Sequence, residues 1–254
     1  MTQPSGREGG SMRALILGSL LAVILGVAVV PGVAAEIPSE EQVITFALAE
    51  LPPEWEITRD KIVVLDCEYG SSDDLPSIWR SRWDRWCAED GFWGQFAFFT
   101  QGGIYSSEYR NEWRIFLHHR ELGDRAQYWY RTLLHEAVHF AHANACMGAA
   151  VRSEGVSRTL LHHLSLIFAN HRGLDAPPDI CSVATTPLSV EERGALRQQL
   201  PWLQRPVTAY ALSEFREYVA ETIEAWYATP RWLQLSDPHA YLAIETHGLV
   251  QRSE

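Results

Sequence analysis

The chain has no surplus of positive charge and almost no lysine. Its 254 residues carry 21 Lys and Arg against 32 Asp and Glu, which gives a net charge of −11 at pH 7, and Lys61 is the single lysine. A protein that binds nucleic acid needs a basic surface to contact the phosphates. The composition therefore argues against a nucleic-acid partner and fits a neutral or cationic peptide.

Cysteine is also scarce, and no two cysteines form the C-x-x-C pair that a zinc knuckle requires. The four cysteines are Cys67, Cys87, Cys146 and Cys181. In an oxidising compartment we expect two disulfides, for which three connectivities are possible. The most local of these joins Cys67 to Cys87 and Cys146 to Cys181, and four free buried thiols are the alternative.

No apolar run reaches the roughly 20 residues that span a bilayer comfortably. The longest, Ala14 to Val30, follows two arginines, and Val33 and Ala35 occupy the −3 and −1 positions of a signal-peptidase site. We therefore predict that residues 1–35 are a signal peptide and that the protein is secreted or periplasmic. The alternative is an uncleaved membrane anchor formed by residues 14–30.

Residues 36–254 contain no repeats or low-complexity tracts and are predicted to form a single domain. Residues 36–126 should contain the sheet, and residues 127–254 should be helical. Hydrophobic patterns and breakers predict strands at 61–66, 96–100 and 113–119, and helices at 40–51, 127–146, 153–171, 189–200 and 209–227. The stretch from Pro230 to Pro238 should separate the last of these from a short final helix. The expected fold class is α+β with a small mixed sheet.

The most informative motif is His-Glu-Ala-Val-His at residues 135–139. Its flanks contain no Gly or Pro from residue 127 to 146, so the motif should lie on a helix. Positions four apart share a helix face, so His135 and His139 can direct their rings at one point. Two imidazoles and a neighbouring carboxylate, Glu136, are the set that a catalytic zinc site uses, with Glu136 as the proton acceptor.

A catalytic zinc usually takes a third protein ligand. A metzincin would have Gly and His three and six residues after the second His, but those positions hold His142 and Ala145. That pattern therefore fails. We expect His142 to support a ligand or face solvent rather than bind the metal.

The third ligand is predicted in the segment 209–227, where Glu217, Glu221 and Glu224 follow one another at spacings of four and three. Three stacked carboxylates repel one another unless a cation or a hydrogen-bond donor lies among them. Ser213 is the predicted N-cap of this helix. A solvated acidic stripe is the ordinary alternative for the three carboxylates. If Glu217 is the ligand, Glu221 one turn later can accept the outer N–H of a ligand histidine.

The run from Tyr210 to Glu221 resembles the catalytic domain of anthrax lethal factor and the related Pro-Pro endopeptidases, which are gluzincin-type zinc proteases. Their motif has a Tyr seven residues before the ligand Glu, then two large apolar residues, Ala and a second Glu. Here these positions hold Tyr210, Glu217, Tyr218, Val219, Ala220 and Glu221. One departure is the 77 residues between His139 and Glu217 (positions 140–216), which suggest an inserted helical element.

The resemblance implies a zincin-like fold that binds one Zn²⁺ per chain through His135, His139 and Glu217. It implies Glu136 as general base and Tyr210 as a donor to the developing oxyanion. The expected function is exported zinc endopeptidase, a hydrolase that acts on peptide or protein substrates. In such enzymes an edge strand beside the active-site helix pairs with the extended substrate.

Two further functions fit the same residues. A secreted interaction protein could keep a zincin scaffold with a structural zinc whose fourth position is closed, and His142 or Glu221 would be the closing ligand. A hydrolase could also use the same chemistry on an amide other than a peptide bond. Membrane association is expected only through an uncleaved N-terminal segment, and the oligomeric state and substrate stay open.

Overall fold

The described part of the chain is mostly helical and contains one small sheet. In the computed structural model it comprises residues 38–65, 94–98, 113–118, 126–147, 155–182 and 188–249. The helices are α1 (Glu40–Glu50), α2 (Ala126–Met147), α3 (Arg158–Arg172), α4 (Val190–Gln199), α5 (Phe215–Ala228), α6 (Pro230–Ser236) and α7 (Pro238–His247). The strands are β1 (Ile62–Leu65), β2 (Gly94–Phe98) and β3 (Trp113–His118). Short 3-10 turns cover Pro53–Trp55, Arg59–Lys61, Trp202–Gln204 and Tyr210–Leu212.

The sheet has the order β1-β3-β2 and is mixed, as predicted. Strand β1 runs parallel to β3, whereas β2 runs antiparallel to it. Ile115 is buried at the centre of β3 and pairs with Ile62 on one side and Phe96 on the other. Strand β3 is therefore paired on both sides. In the part of the chain that the structure describes, β2 is at the edge of the sheet and contacts α2.

Helix starts follow local capping chemistry. Ser39 and Ser189 each form a capping box, with Gln42 and Glu192 respectively, so α1 and α4 begin where the sequence indicated. Helix α3 begins later than residue 153, because the Ser157 side chain accepts from the Leu160 backbone N–H and fixes the start there.

One helix prediction was wrong and one was incomplete. Ser213 is not the N-cap of α5, because its hydroxyl donates to the carbonyl of Tyr210 and Glu214 occupies the cap position instead. The stretch between Pro230 and Pro238 is not simply a break, since it forms α6. Each proline is the first residue of its helix, where the missing N–H costs no hydrogen bond.

The core is built mainly where α2 packs against α5, with α1 and the sheet on one side of α2 and α3 and α7 beside α5. Trp129, Leu133 and Ala137 of α2 are fully buried, as are Tyr218 and Ile223 of α5. Trp129, Leu133 and Ala137 recur every four residues and so form one buried stripe of α2, whereas α5 is buried on more than one side, toward α2 and toward α3 and α7.

After α2 the chain turns back, and residues 155 and 156 pack directly against the backbone of that helix at Ala141. A β-carbon at Gly155 would lie 2.3 Å from the Ala141 carbonyl oxygen, so only glycine permits this approach. The Val156 N–H donates to the same carbonyl at 3.1 Å. Cys146, near the end of α2, is joined to Cys181 with a Cα–Cα distance of 5.3 Å, which confirms that predicted pairing. Cys67 and Cys87 lie outside the described residues.

Among the described helices, none combines the length and the apolar character needed to cross a bilayer. The predicted signal or anchor segment, residues 1–35, lies outside the described residues. A disulfide is typical of an exported protein, so the Cys146–Cys181 bond is consistent with an extracytoplasmic location.

Candidate metal centre

Helix α2 places His135 and His139 one turn apart on the side that faces α5. Their ring centroids lie 4.7 Å apart with the planes at 81°, and their Nε2 atoms are separated by 3.0 Å. Both side chains are largely shielded from solvent, with exposed fractions of 13% and 14%. The two imidazoles therefore converge as the i, i+4 spacing predicted.

Helix α5 supplies the third converging group. Oε2 of Glu217 lies 3.2 Å from Nε2 of His135 and 3.2 Å from Nε2 of His139. The other carboxylate oxygen, Oε1, lies 3.6 Å from Nε of Arg216, which itself pairs with Glu214 at 2.8 Å. Glu217 is in the first turn of α5, where the helix dipole favours a negative charge.

Nε2 of His135, Nε2 of His139 and Oε2 of Glu217 form a triangle whose size fits a zinc ion. Zinc bonds of about 2.0–2.2 Å in a tetrahedral arrangement separate neighbouring ligand atoms by roughly 3.3–3.6 Å. The observed edges of 3.0, 3.2 and 3.2 Å differ from that by only a few tenths of an ångström. Imidazole and carboxylate are also the donor types that zinc prefers in catalytic sites. His135, His139 and Glu217 could therefore hold a metal ion.

The electrostatics of the site favour a cation. Burial disfavours the charged form of His135, but contacts with the carboxylates of Glu217 and Glu224 outweigh burial and raise its pKa well above the ordinary value. Burial alone would raise the pKa of Glu217, but its contacts with His135 and His139 lower it far below the ordinary value. The carboxylate of Glu217 thus stays ionised and strongly attracts positive charge.

Glu136 and Tyr210 lie near this triangle. Glu136 is 8% exposed, and its charge acts on both His135 and Tyr210. Tyr210 is in the 3-10 turn before α5, is 47% exposed as a residue, and has the guanidinium of Arg193 5.2 Å from its ring centre. Partial burial and the charges of Glu217 and Glu136 raise the pKa of Tyr210 to about 12, so the phenol keeps its proton and can donate it in a hydrogen bond.

The outer nitrogen of His135, Nδ1, is closer to Glu224 than to Glu221, the acceptor that the sequence predicted. Nδ1 lies 3.4 Å from Oε2 of Glu224 but 4.0 Å from Oε1 of Glu221, the predicted acceptor. Glu224 is only 4% exposed and its other oxygen pairs with Arg131 of α2. Burial and the neighbouring Glu224 raise the pKa of Glu221. The spacing of seven from Glu217 to Glu224 could have indicated this contact, because residues seven apart are nearly two full turns apart and so lie on the same face of a helix.

His142 takes no part in the converging group. It is buried, so the solvent-facing option was wrong, and its Nε2 donates to the carbonyl of Ile180 at 2.7 Å, next to the disulfide. Burial lowers the pKa of His142 to about 4, which keeps the ring neutral. Among the described residues, His135, His139 and Glu217 are the side chains that form the triangle, and a second group of possible metal ligands shares His135 with Glu221 and Glu224.

Comparisons of the chain with protein-family models, with curated proteins and with solved structures found no match.

Proposed function

We propose that the protein is an exported zinc-dependent endopeptidase. The observation that carries the proposal is the triangle of His135 Nε2, His139 Nε2 and Glu217 Oε2, whose edges of 3.0–3.2 Å suit a tetrahedral metal with one position left for water or substrate. The buried Glu136 beside it and the protonated phenol of Tyr210 supply the two remaining groups that peptide hydrolysis needs.

When bound, Zn²⁺ would polarise the scissile carbonyl and make a water molecule more acidic. Glu136 accepts a proton from that water as the oxygen adds to the carbonyl carbon. Tyr210 donates a hydrogen bond to the negative charge that develops on the carbonyl oxygen. Glu136 then delivers its proton to the leaving amine as the C–N bond breaks, so that acid and amine are released and the enzyme is restored.

The substrate would be an extended peptide, which β2 is suited to hold. Among the described strands, β2 lies at the edge of the sheet and contacts α2, so its outer backbone groups are directed away from β3. A peptide can pair with such an edge through main-chain hydrogen bonds, with little demand on its sequence. The apolar N-terminal run and the Cys146–Cys181 disulfide support export of the protein.

The decisive experiment compares the wild type with Glu136→Gln. Both proteins should bind about one zinc per chain, because Glu136 is not a ligand, whereas cleavage of a mixed peptide library should fall by about 10²–10⁴-fold in the variant. Metal content is measured by mass spectrometry of the desalted protein and cleavage by identification of the products. The exposed Glu191→Gln on α4 is the matched control and should retain full cleavage.

The outcomes separate the competing functions. Full cleavage by Glu136→Gln would remove the proposed mechanism. Zinc binding without cleavage of any peptide by the wild type would favour the secreted interaction protein with a structural zinc. Hydrolysis of non-peptide amides alone would retain the mechanism and change the substrate class.

A further inference from the structure

Glu224 divides its two carboxylate oxygens between two residues of α2. Oε1 pairs with Nε of Arg131, and Oε2 lies 3.4 Å from Nδ1 of His135. Arg131 and His135 are four residues apart and so share one face of α2. Glu224 therefore fits between two successive turns of the facing helix, at one of the most buried positions for any charged residue described here.

Helix geometry explains why Glu224, rather than Glu221, reaches His135. At about 100° per residue, Glu221 is rotated by roughly 40° from Glu217, and Glu224 by only about 20°. The order of the contacts shows that the two helices are antiparallel. His139, the later residue of α2, contacts Glu217, the earlier residue of α5, whereas Arg131 contacts Glu224. The antiparallel packing of α2 and α5 thus brings Glu224 to the outer side of the same imidazole that Glu217 meets on its inner side.

A buried carboxylate is costly unless a cation or several donors compensate it. Arg131 provides that compensation for Glu224 and cannot lose its own charge. Glu224 can then act as a fixed acceptor for a proton on Nδ1 of His135. With its proton held on Nδ1, the ring presents the lone pair of Nε2 toward His139 and Glu217.

We propose that Glu224, held in place by Arg131, is the positioning residue that orients His135 for metal binding. This inference rests on the proposed zinc site. It assigns to Glu224 the acceptor role that the sequence motif suggested for Glu221, and Arg131 holds Glu224 in place. The residue acts through His135 and does not contact the metal or the substrate.

The test is direct zinc titration of the purified protein against a competing chelator. Glu224→Gln should raise the zinc dissociation constant by about 10–100-fold, as losses of outer partners of metal ligands typically do. Glu221→Gln should have a clearly smaller effect, and the exposed Glu245→Gln on α7 is the control. The melting temperature of each metal-free variant is measured in parallel, which separates a loss of fold from a loss of affinity.

Two readouts distinguish positioning from simple structural support. The Nδ1 proton of His135 should give a strongly downfield NMR signal in the wild type that moves upfield in Glu224→Gln. Arg131→Lys should keep most of the zinc affinity, because it retains the charge, whereas Arg131→Gln should lose affinity as Glu224→Gln does.

The inference and the proposed function fail in different ways. If Glu217→Ala loses zinc while Glu224→Gln binds it like the wild type, the positioning role is overturned and the metal site stands. A larger loss in Glu221→Gln than in Glu224→Gln would return the role to Glu221. If Glu217→Ala keeps zinc, the proposed site itself is wrong.

Discussion

Helix α5 buries polar groups on two sides, and the two sides differ in how those groups are paired. On the side toward α2, which we call the site face, lie Glu217, Glu221 and Glu224. On the side toward α3 and α7, which we call the core face, the hydroxyl of Tyr218 donates to Oδ2 of Asp237 at 2.7 Å. Nε2 of His171 lies 2.8 Å from the same oxygen, and Oδ1 of Asp237 accepts from the Ala240 N–H.

On the core face the shared acceptor, Asp237, is well supplied with donors, although the buried Nδ1 of His171 has no hydrogen-bond partner among the described residues. Asp237 is fully buried, yet each of its oxygens meets at least one donor, and the set ties α3, α5 and the start of α7 together. Burial and the charge of Asp237 raise the pKa of Tyr218 well above its ordinary value, so the phenol remains a donor. Such a network stabilises one packing arrangement and has no need of a ligand.

The site face, in contrast, directs three lone-pair atoms at one point. Two imidazole nitrogens and a carboxylate oxygen lie within 3.2 Å of one another, which is unfavourable unless protons or a metal ion lie among them. Burial of polar groups alone therefore does not identify a functional site. The informative feature is the convergence of two imidazole nitrogens and a carboxylate oxygen on one point, where a proton or a metal ion must lie between them.

The largest expected effect comes from Glu217→Ala on the site face. Loss of one of three ligands should reduce bound zinc from about one per chain to near background, measured by metal analysis after desalting. The adjacent core-face variant Tyr218→Phe is the matched comparison and should keep its zinc. Retention of zinc by Glu217→Ala would show that the site face does not bind the metal through Glu217.

Tyr210→Phe tests the group that should act only during the reaction. Removal of a single oxyanion donor typically lowers kcat by about 10²–10³-fold. Zinc content and KM should change little, because the phenol is not a ligand. Steady-state kinetics on a peptide identified in the library screen provide the measurement, and an unchanged kcat would exclude the role of Tyr210.

Asp237→Ala tests the core face. The variant leaves the Tyr218 hydroxyl and His171 without their shared acceptor and removes the cap of α7. We expect a loss of roughly 3–5 kcal/mol in the free energy of unfolding, measured by urea denaturation. Zinc affinity of the folded protein should not change, and the exposed Asp175→Ala is the control. A zinc defect in the folded variant would mean that the two faces are coupled.

The smallest effect is a pH dependence of stability that arises from His142, outside both faces. Its pKa is lowered to about 4 by burial, against an unfolded value of about 6.5. Between these values the unfolded chain binds the additional proton, so the free energy of unfolding should fall as the pH drops from about 6.5 to 4, by up to about 3 kcal/mol.

Denaturation of the metal-free protein at several pH values measures this dependence. His142→Gln keeps a donor for the Ile180 carbonyl and should flatten the curve in that window. Equal acid sensitivity of the two proteins would assign the effect to other groups.

Some features of the fold could be predicted because they depend on neighbours in sequence. The capping boxes at Ser39 and Ser189, the long run without Gly or Pro around the His-Glu-Ala-Val-His motif, and the apolar strand at residue 62 all act over a few residues. The start of α5 was less predictable, because Ser213 has an alternative local partner in the Tyr210 carbonyl. The middle position of β3 was also open, since strand order depends on contacts between distant segments.

The sequence by itself determined that His135 and His139 share a helix face, because a spacing of four on a continuous helix leaves no alternative. It also limited the third donor to the acidic segment 209–227, within which the structure begins the helix at residue 215. Only the tertiary structure decided that Glu217 meets both imidazoles and that Glu224 approaches the outer nitrogen of His135. Those distances depend on how α2 and α5 pack, antiparallel and in one register, and no local spacing specifies the register between two helices so far apart in the chain.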